Sequence, residues 1–514
     1  MSTERSVRSD HARGRDDTTR YLCAAAHLDD RFADRAIREF LTEPTRAAPP
    51  VAGVRAGAVL AEAVAARARR KVRDTLVVTL FAGVLVTLSL SLLVGWLLVG
   101  VIVFLRRSTP GRGALPAVGG GLVAIALLIL LFRTSEDVTS YSYGVGLTAA
   151  AVLAVGLLVV LLAVLVVDEY VVWHHIEVRF LRGFLLTDPS PDALSSRSRR
   201  VFLFGAEHFL AQLRRCLRRH QWMADPATPD DAVQVVVTRG PRVFVGAGEP
   251  HGPWSLAVPL RPRSSAEDVR PLCAGALYEG VARAVRALRG EFADLRVTER
   301  VVVAAAGLVE NVERAGDFLA DPGAAPYPLL RGQRVRELRD RPLGWAAYYL
   351  VFQFEARDRD VVVSTFLHLA VRDATLHVEW VPCVLPPLKR EYSAIDTTPD
   401  SPLLPVVRAV LRFLVLPMTV PARLRTVCSV IRPRRRAPGT LTADMYGVAH
   451  SLRELAADTG SRSHPGPGDR VKVLEGRLTS VLRESLAEAG YEAVVPGGGG
   501  YPGRRPADPA GTAS

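Results

Sequence analysis

The sequence predicts an α-helical membrane region followed by a C-terminal cytoplasmic α+β domain containing an antiparallel β-meander. Three observations predict it. Thr75–Leu105, Ala114–Phe132 and Tyr143–Val167 are apolar stretches without one charged side chain. Trp345–Arg357, Asp360–Arg372 and Thr375–Val384 are β-rich runs joined by links so short that they must pair antiparallel. Around them, helical periodicity alternates with Pro/Gly-rich links.

With 514 residues, 49% hydrophobic and 23% charged, the chain is too apolar for a disordered polymer and too long for one ordinary domain. The net charge of +13 is thinly spread, as +4 over 1–74, +2 over 75–167 and +7 over 168–514, so no nucleic-acid partner is expected. Only Lys71, Lys389 and Lys472 are lysines, which makes the arginine excess weak evidence for phosphate recognition. Cys23, Cys216, Cys273, Cys383 and Cys428 contain no Cys-x-x-Cys pair, which argues against a zinc ribbon or a disulfide framework and fits a reducing compartment. Residues 1–20 have no apolar core of a secretory signal, so targeting is expected to come from an internal span.

Residues 1–74 read as an N-terminal cytoplasmic helical arm. Tyr21, Leu22, Ala25, Leu28, Phe32, Ile37 and Phe40 recur near helical spacing over Thr18–Leu41, Glu43-Pro44 ends that helix, and an Arg/Ala-rich helix over Val54–Asp74 feeds the membrane. Residues 75–167 read as the transmembrane region, since one charge at the centre of an inserted helix costs roughly 2.5–3.5 kcal/mol. As a single helix the first stretch would be about 46 Å long against a hydrocarbon core of about 30 Å. Basic residues on both its flanks, Arg67 to Arg73 and Arg106 to Arg112, favour a hairpin turning near Ser89–Gly95 with Trp96 at an interface; one long span is the alternative. Two further spans over 114–132 and 143–167 complete four passes, with both termini cytoplasmic in a bacterial inner membrane. Three spans with the C-terminal region outside is the alternative. Spans free of charge disfavour a channel or transporter. Gly146, Ala150 and Ala154, at every fourth position, form a helix-packing face that admits a homo-oligomer.

Residues 168–231 read as juxtamembrane helices and a linker, and 232–400 as the α+β domain, with strands at Gln234–Thr238, Arg242–Val245, Ser255–Pro259 and Val297–Ala304 and a helix over Ser265–Arg289 before the meander. Residues 401–490 form an amphipathic, basic segment with C-terminal helices. Arg408, Arg412, Arg432, Arg434, Arg435 and Arg436 suit contact with anionic lipid headgroups, each worth about 1 kcal/mol there; a core helix beside a solvated basic loop explains them equally well. Residues 491–514 form a tail of disordered composition.

No catalytic signature stands out, and no cofactor or metal is expected. His208, Gln212, Cys216 and His220 line one helical stripe, but a straight helix spreads them over about 18 Å. His174-His175 reads as an interfacial feature of a juxtamembrane helix. Gly246-x-Gly248-x-x-x-Gly252 lacks the following helix of a phosphate loop and reads as a Gly-rich hairpin loop. Ser364 and His368 share a strand face about 13 Å apart, too far for a nucleophile and its base.

At Arg239-Gly-Pro-Arg-Val-Phe-Val-Gly-Ala-Gly with Trp254-Ser-Leu-Ala, at Val363-Ser-Thr-Phe-Leu with Leu385-Pro-Pro-Leu-Lys-Arg-Glu-Tyr392, and at Arg20-Tyr-Leu-Cys-Ala-Ala-Ala-His27, the sequence resembles a family of uncharacterised multi-pass membrane proteins of high-GC Gram-positive bacteria. The family carries no established activity, so the resemblance implies an inner-membrane setting and transfers no site residue. The expectation is a non-enzymatic anchor, scaffold or sensor with the lipid bilayer and a protein as partners. A membrane-anchored enzyme acting on lipid or an envelope precursor is the alternative.

Overall fold

The computed structural model describes residues 18–108, 146–180, 213–214 and 232–492, apart from short breaks at 44, 47–48, 50, 52–53, 89, 241, 264–268, 293, 357–360, 398–400, 430, 432–440 and 459–467. Among the described residues the principal helices are α1 (18–28), α2 (Asp30–Phe40), α3 (Ala56–Thr87), α4 (Leu90–Ser108), α5 (Gly146–Phe180), α6 (Ala274–Ala287), α7 (Gly332–Asp340), α8 (Leu403–Leu414), α9 (Leu416–Cys428) and α10 (Gly468–Glu488). The strands are β1 (Val233–Thr238), β2 (Glu249–Pro250), β3 (Trp254–Pro259), β4 (Arg296–Ala304), β5 (Leu329–Leu330), β6 (Ala346–Ala356), β7 (Val361–Arg372) and β8 (Thr375–Leu385). They fall into two compact units, neither of them contiguous. The first gathers Met1–Ile37, Ala58–Leu210 and Glu391–Pro433, and the second Arg38–Gly57, Ala211–Arg390 and Arg434–Ser514.

The first unit is helical. Its core joins Val77, Phe81 and Val84 of α3, Trp96 of α4, Leu161 and Leu165 of α5, Ala409 of α8 and Leu416 of α9. Glycine lets α3 approach α5 closely, since a Cβ at Gly83 would lie 3.3 Å from Leu157 Cδ1. The Phe81 and Trp96 rings are 5.7 Å apart, whereas fifteen residues of straight helix would separate them by about 22 Å. The chain therefore doubles back between α3 and α4. Trp96 is buried rather than interfacial: it stacks on Phe413, and its Nε1 donates to the Phe413 carbonyl at 3.2 Å. Pro417 has no N–H to offer that carbonyl four residues earlier, and α8 and α9 accordingly meet at 91°. The indole takes the place of the lost helical donor.

Among the described residues, Val152–Phe180 is the one helix long and apolar enough to cross a membrane; α8 with α9 reaches that length only as a bent pair, and Leu92–Phe104 is shorter. Of the multi-pass region expected over 75–167, the described residues thus offer one candidate span. Its first stretch is split between α3, which shares its length with charged residues 62–74, and α4, and its second stretch lies outside the described residues.

The second unit is the expected α+β body. Its sheet runs β2-β8-β7-β6-β4-β1-β5, with β3 also paired to β8. β6, β7 and β8 form the antiparallel meander, and Asp373 and Ala374 close its last hairpin with φ of 48° and 54°, as a two-residue turn that matches strand twist requires. β4 pairs antiparallel with β6 but parallel with β1, so the sheet is mixed. One face packs under α6 and α10 through Leu277, Val281, Leu350, Phe352, Trp380, Leu478 and Leu482, and the other carries Val302, Tyr349, Val351, Phe366 and Val381. Two expected elements of this unit are corrected. The helix expected from Ser265 begins at Ala274, because Pro271 resists helical continuation, and Arg242–Val245 is a loop rather than a strand.

Candidate functional site

In the first unit three helices bring titratable side chains to one point. The Ala24–Ala26 run of α1 is fully buried, and His27 follows on the last turn. Glu62 lies near the start of α3, and His175 eight residues beyond the apolar run of α5. His27 Nε2 is 2.9 Å and His175 Nε2 3.1 Å from the same oxygen, Glu62 Oε2. Arg179 Nη1 stands 3.7 Å from the other oxygen, Oε1. The two imidazoles are 4.8 Å apart between centroids, and Phe180 walls the site with its ring edge-on to His175 at 5.5 Å. Phe180 is held in turn: its carbonyl accepts from Arg20 Nη1 at 2.6 Å, and the Arg20 guanidinium spans both Asp396 oxygens at 2.7 and 3.0 Å.

Burial lowers the affinity of His27 for a proton, an effect that its hydrogen bond to Glu62 only partly offsets. Burial would raise the Glu62 carboxyl, but the hydrogen bonds from His175 and His27 and their charge outweigh it and hold Glu62 well below the usual carboxylate range. At neutral pH the site is a carboxylate facing a neutral buried imidazole. Such a set can share a proton or hold a cation.

Next to it along α3 and α5 lies a layer of ion pairs where the charged and apolar parts of both helices meet. Arg69 and Arg73 reach Asp168 at 3.0 and 3.1 Å, Arg73 Nε reaches Asp74 at 2.9 Å, and Arg423 reaches Asp74 at 2.7 Å. Arg412, expected at a lipid surface, pairs with Glu169, while Arg408 is half-buried. Arg432, Arg434, Arg435 and Arg436 lie outside the described residues. Gly146 and Ala150 lie on α5 with Ala154, whose side chain is buried. His208, Gln212, Cys216 and His220 also lie outside the described residues.

The second unit holds a cavity of about 250 Å³ between α6, α7 and the sheet, with Tyr278, Arg283, Arg286, Glu299, Arg339 and Tyr348 in its wall. Arg339 is engaged by Glu299 at 2.8 Å and by the Tyr348 hydroxyl at 3.1 Å. The Gly-rich loop cradles an anion, but one of its own chain: the amides of Gly246 and Gly248 donate to Glu454 Oε1 at 2.9 and 3.1 Å. Glu454 also closes a capping box with Ser451. Ser364 accepts from Gln353 Nε2, and His368 Nδ1 lies 2.9 Å from the Tyr348 carbonyl, so both are held in the sheet.

Sequence reading missed the convergence of His27, Glu62 and His175. Each is an ordinary helical residue, and the spacing between them carries no periodic signal. The trace that was available is His27 closing one of the distinctive segments and His175 in a His-His pair.

Residues 253–494 match the family model described as the AbeC-like domain. The match begins ahead of β3, ends beyond α10, and includes α8 and α9 of the first unit. No curated protein and no solved structure matches the chain.

Proposed function

We propose that the chain is an integral protein of a bacterial inner membrane, in which the apolar lengths of α3, α4 and α5 lie in lipid and the α+β body serves on the cytoplasmic side as a non-enzymatic anchor, scaffold or sensor for a protein partner. The observation that supports it is the outer surface of α5. Val152 is 73% exposed and Val159 61%, with Leu153, Val155 and Val160 also exposed, so apolar groups point outward on more than one side of the helix. A helix that is apolar almost all round is favoured in hydrocarbon and costly in water, where each such side chain forgoes roughly 1.5–3 kcal/mol of burial. Exposed Leu85, Val86, Leu97, Leu98 and Ile102 on α3 and α4 extend the argument to a doubled-back insertion. The multi-pass topology and the high-GC Gram-positive setting rest on the charge pattern and the resemblance described above.

The test is extraction of native membranes at alkaline pH together with reporters fused after Asp188 and at the C-terminus. The reading expects the chain to stay with the lipid pellet and both reporters to signal from inside. Recovery in the aqueous fraction without detergent would overturn the membrane assignment, and an external signal after Asp188 would overturn the topology.

The arginine-bearing cavity favours a second reading, a membrane-anchored enzyme acting on an anionic lipid or envelope precursor. Its wall offers cations for substrate binding but no Ser, Cys or His nucleophile among the residues lining it, so it ranks below the first.

A further inference from the structure

We propose that His27, Glu62 and His175 form a binding site for one divalent first-row transition ion, taken up through two imidazole nitrogens and one carboxylate oxygen. The inference stands on the first unit alone and does not depend on the membrane reading above. One donor atom from each residue lies within 4.8 Å of the other two. The nitrogen–oxygen separations, 2.9 and 3.1 Å, are close to what an ion imposes. Two ligands about 2.1 Å from a metal lie roughly 3.0 Å apart at a right angle and roughly 3.4 Å apart at the tetrahedral angle. The two nitrogen–oxygen separations thus fit an ion as they stand, while the imidazole nitrogens, known only to lie within 4.8 Å of each other, draw together as it enters.

Three features fit a ligand set better than a structural clasp. The side chain of His27 is only 6% exposed, and its Nδ1 is buried without a partner among the described residues, so an imidazole has been desolvated with half its hydrogen-bonding capacity unused. A purely structural residue gains nothing from leaving that nitrogen dry and unpaired. Arg179 faces the far oxygen of Glu62, which leaves Oε2 for the ion and lets the guanidinium steady the carboxylate from outside. The side-chain exposure rises from 6% at His27 through 17% at Glu62 to 27% at His175, so water reaches the site best beside His175, where it can complete the coordination. Two imidazoles and a carboxylate suit Zn2+, Fe2+ or Co2+; Mg2+ and Ca2+ prefer all-oxygen cages, and among the described residues the cluster has no thiolate for softer ions.

The experiment uses the full-length chain, purified and stripped with chelator, then titrated with Zn2+ by calorimetry. The proposal expects one ion per chain with a Kd of about a micromolar or tighter, weakened at least 100-fold by His27→Gln, Glu62→Gln or His175→Gln and unchanged by His174→Gln next door. Melting of the metal-free variants checks that each is folded. X-ray absorption of the Zn-loaded natural chain decides the case without any variant: two imidazoles and light oxygen ligands are expected. Sulfur scattering would assign the ion to a cysteine site instead, and that result, absence of a stoichiometric site, or undiminished binding by folded His27→Gln and His175→Gln chains would overturn the proposal.

Discussion

Gly248→Ala is the sharpest test of how the second unit is held together. Gly248 has a φ of +90°, and an added Cβ would lie 2.1 Å from the Val384 carbonyl oxygen and 2.6 Å from Leu385 Cα, both backbone atoms of β8 that no rotamer can move. The left-handed conformation alone costs an alanine about 1–2 kcal/mol. Relieving the contact requires β2 to withdraw from β8, which breaks the Glu249–Val384 pairing and pulls the Gly246 and Gly248 amides from Glu454. Hydrogen bonds to a charged group are worth about 1.5–3 kcal/mol each, so losing even one brings the total to roughly 3–5 kcal/mol. Gly252→Ala is the control, since Gly252 has a φ of +64° but nothing within 4 Å of the added carbon and bears the conformational cost alone. Denaturant titration followed by hydrogen exchange in peptides covering 246–258 and 376–385 measures both. A Gly248→Ala chain within about 1 kcal/mol of Gly252→Ala would refute the close-approach argument.

Three further outcomes follow from the same geometry. Tyr278→Phe removes a buried hydroxyl that accepts from the Leu369 amide at 2.6 Å, and is expected to cost about 1–3 kcal/mol in denaturant unfolding; a neutral substitution would mean the amide finds another acceptor. Burial pushes the Cys383 thiol up to about 12, and Cys383 and Cys23 are both buried, so maleimide should label Cys273 and Cys428 quickly and the buried pair only on unfolding, as read by peptide mass; rapid labelling of Cys383 would contradict its placement. Burial holds His368 below the ordinary imidazole range despite the Tyr348 carbonyl and Glu379, so the unfolded chain takes up the proton first on acidification. Its stabilisation is complete above about pH 6.5 and falls below it by at most about 1.4 kcal/mol per pH unit, a slope that His368→Gln should remove from unfolding curves between pH 7.5 and 5.5. Equal slopes in the two chains would count against the burial of that ring.

The meander was legible because adjacent runs joined by turns of two to four residues can pair only one way, and the strands found at Ala346–Ala356, Val361–Arg372 and Thr375–Leu385 differ from expectation by a residue or so at their ends. The parallel pairing of β1 with β4 was not legible, because those strands are separated by β2, β3 and α6, and their register is fixed by packing rather than by a turn. The expected helix Thr18–Leu41 is two helices because Asp29 turns its side chain to the amides of Arg31 and Phe32 and starts a second one, a local bond that periodicity cannot register. The Arg242–Val245 segment had strand composition, yet it lies in the loop leading to the Glu454 cradle, whose partner is 208 residues away. The candidate site failed for the same reason. His27, Glu62 and His175 each sit where a polar helical residue is ordinary, and only tertiary packing makes them neighbours.

The division of the chain has a bearing on its synthesis. Residues 38–57 emerge before any strand exists, yet their partners come last: Glu39 bonds the Ala449 amide, Thr45 the Met445 carbonyl and Arg46 the Asp444 carbonyl, each some 400 positions downstream. Loop closure over such a distance adds little to the equilibrium cost, since each doubling of length costs about 0.6 kcal/mol, but it delays the docking. The ribosome must therefore deliver every helix of the other unit before residues 38–57 can meet these partners. A polypeptide started at residue 211 would lack Glu39 and leave Arg239 paired with Asp444 alone.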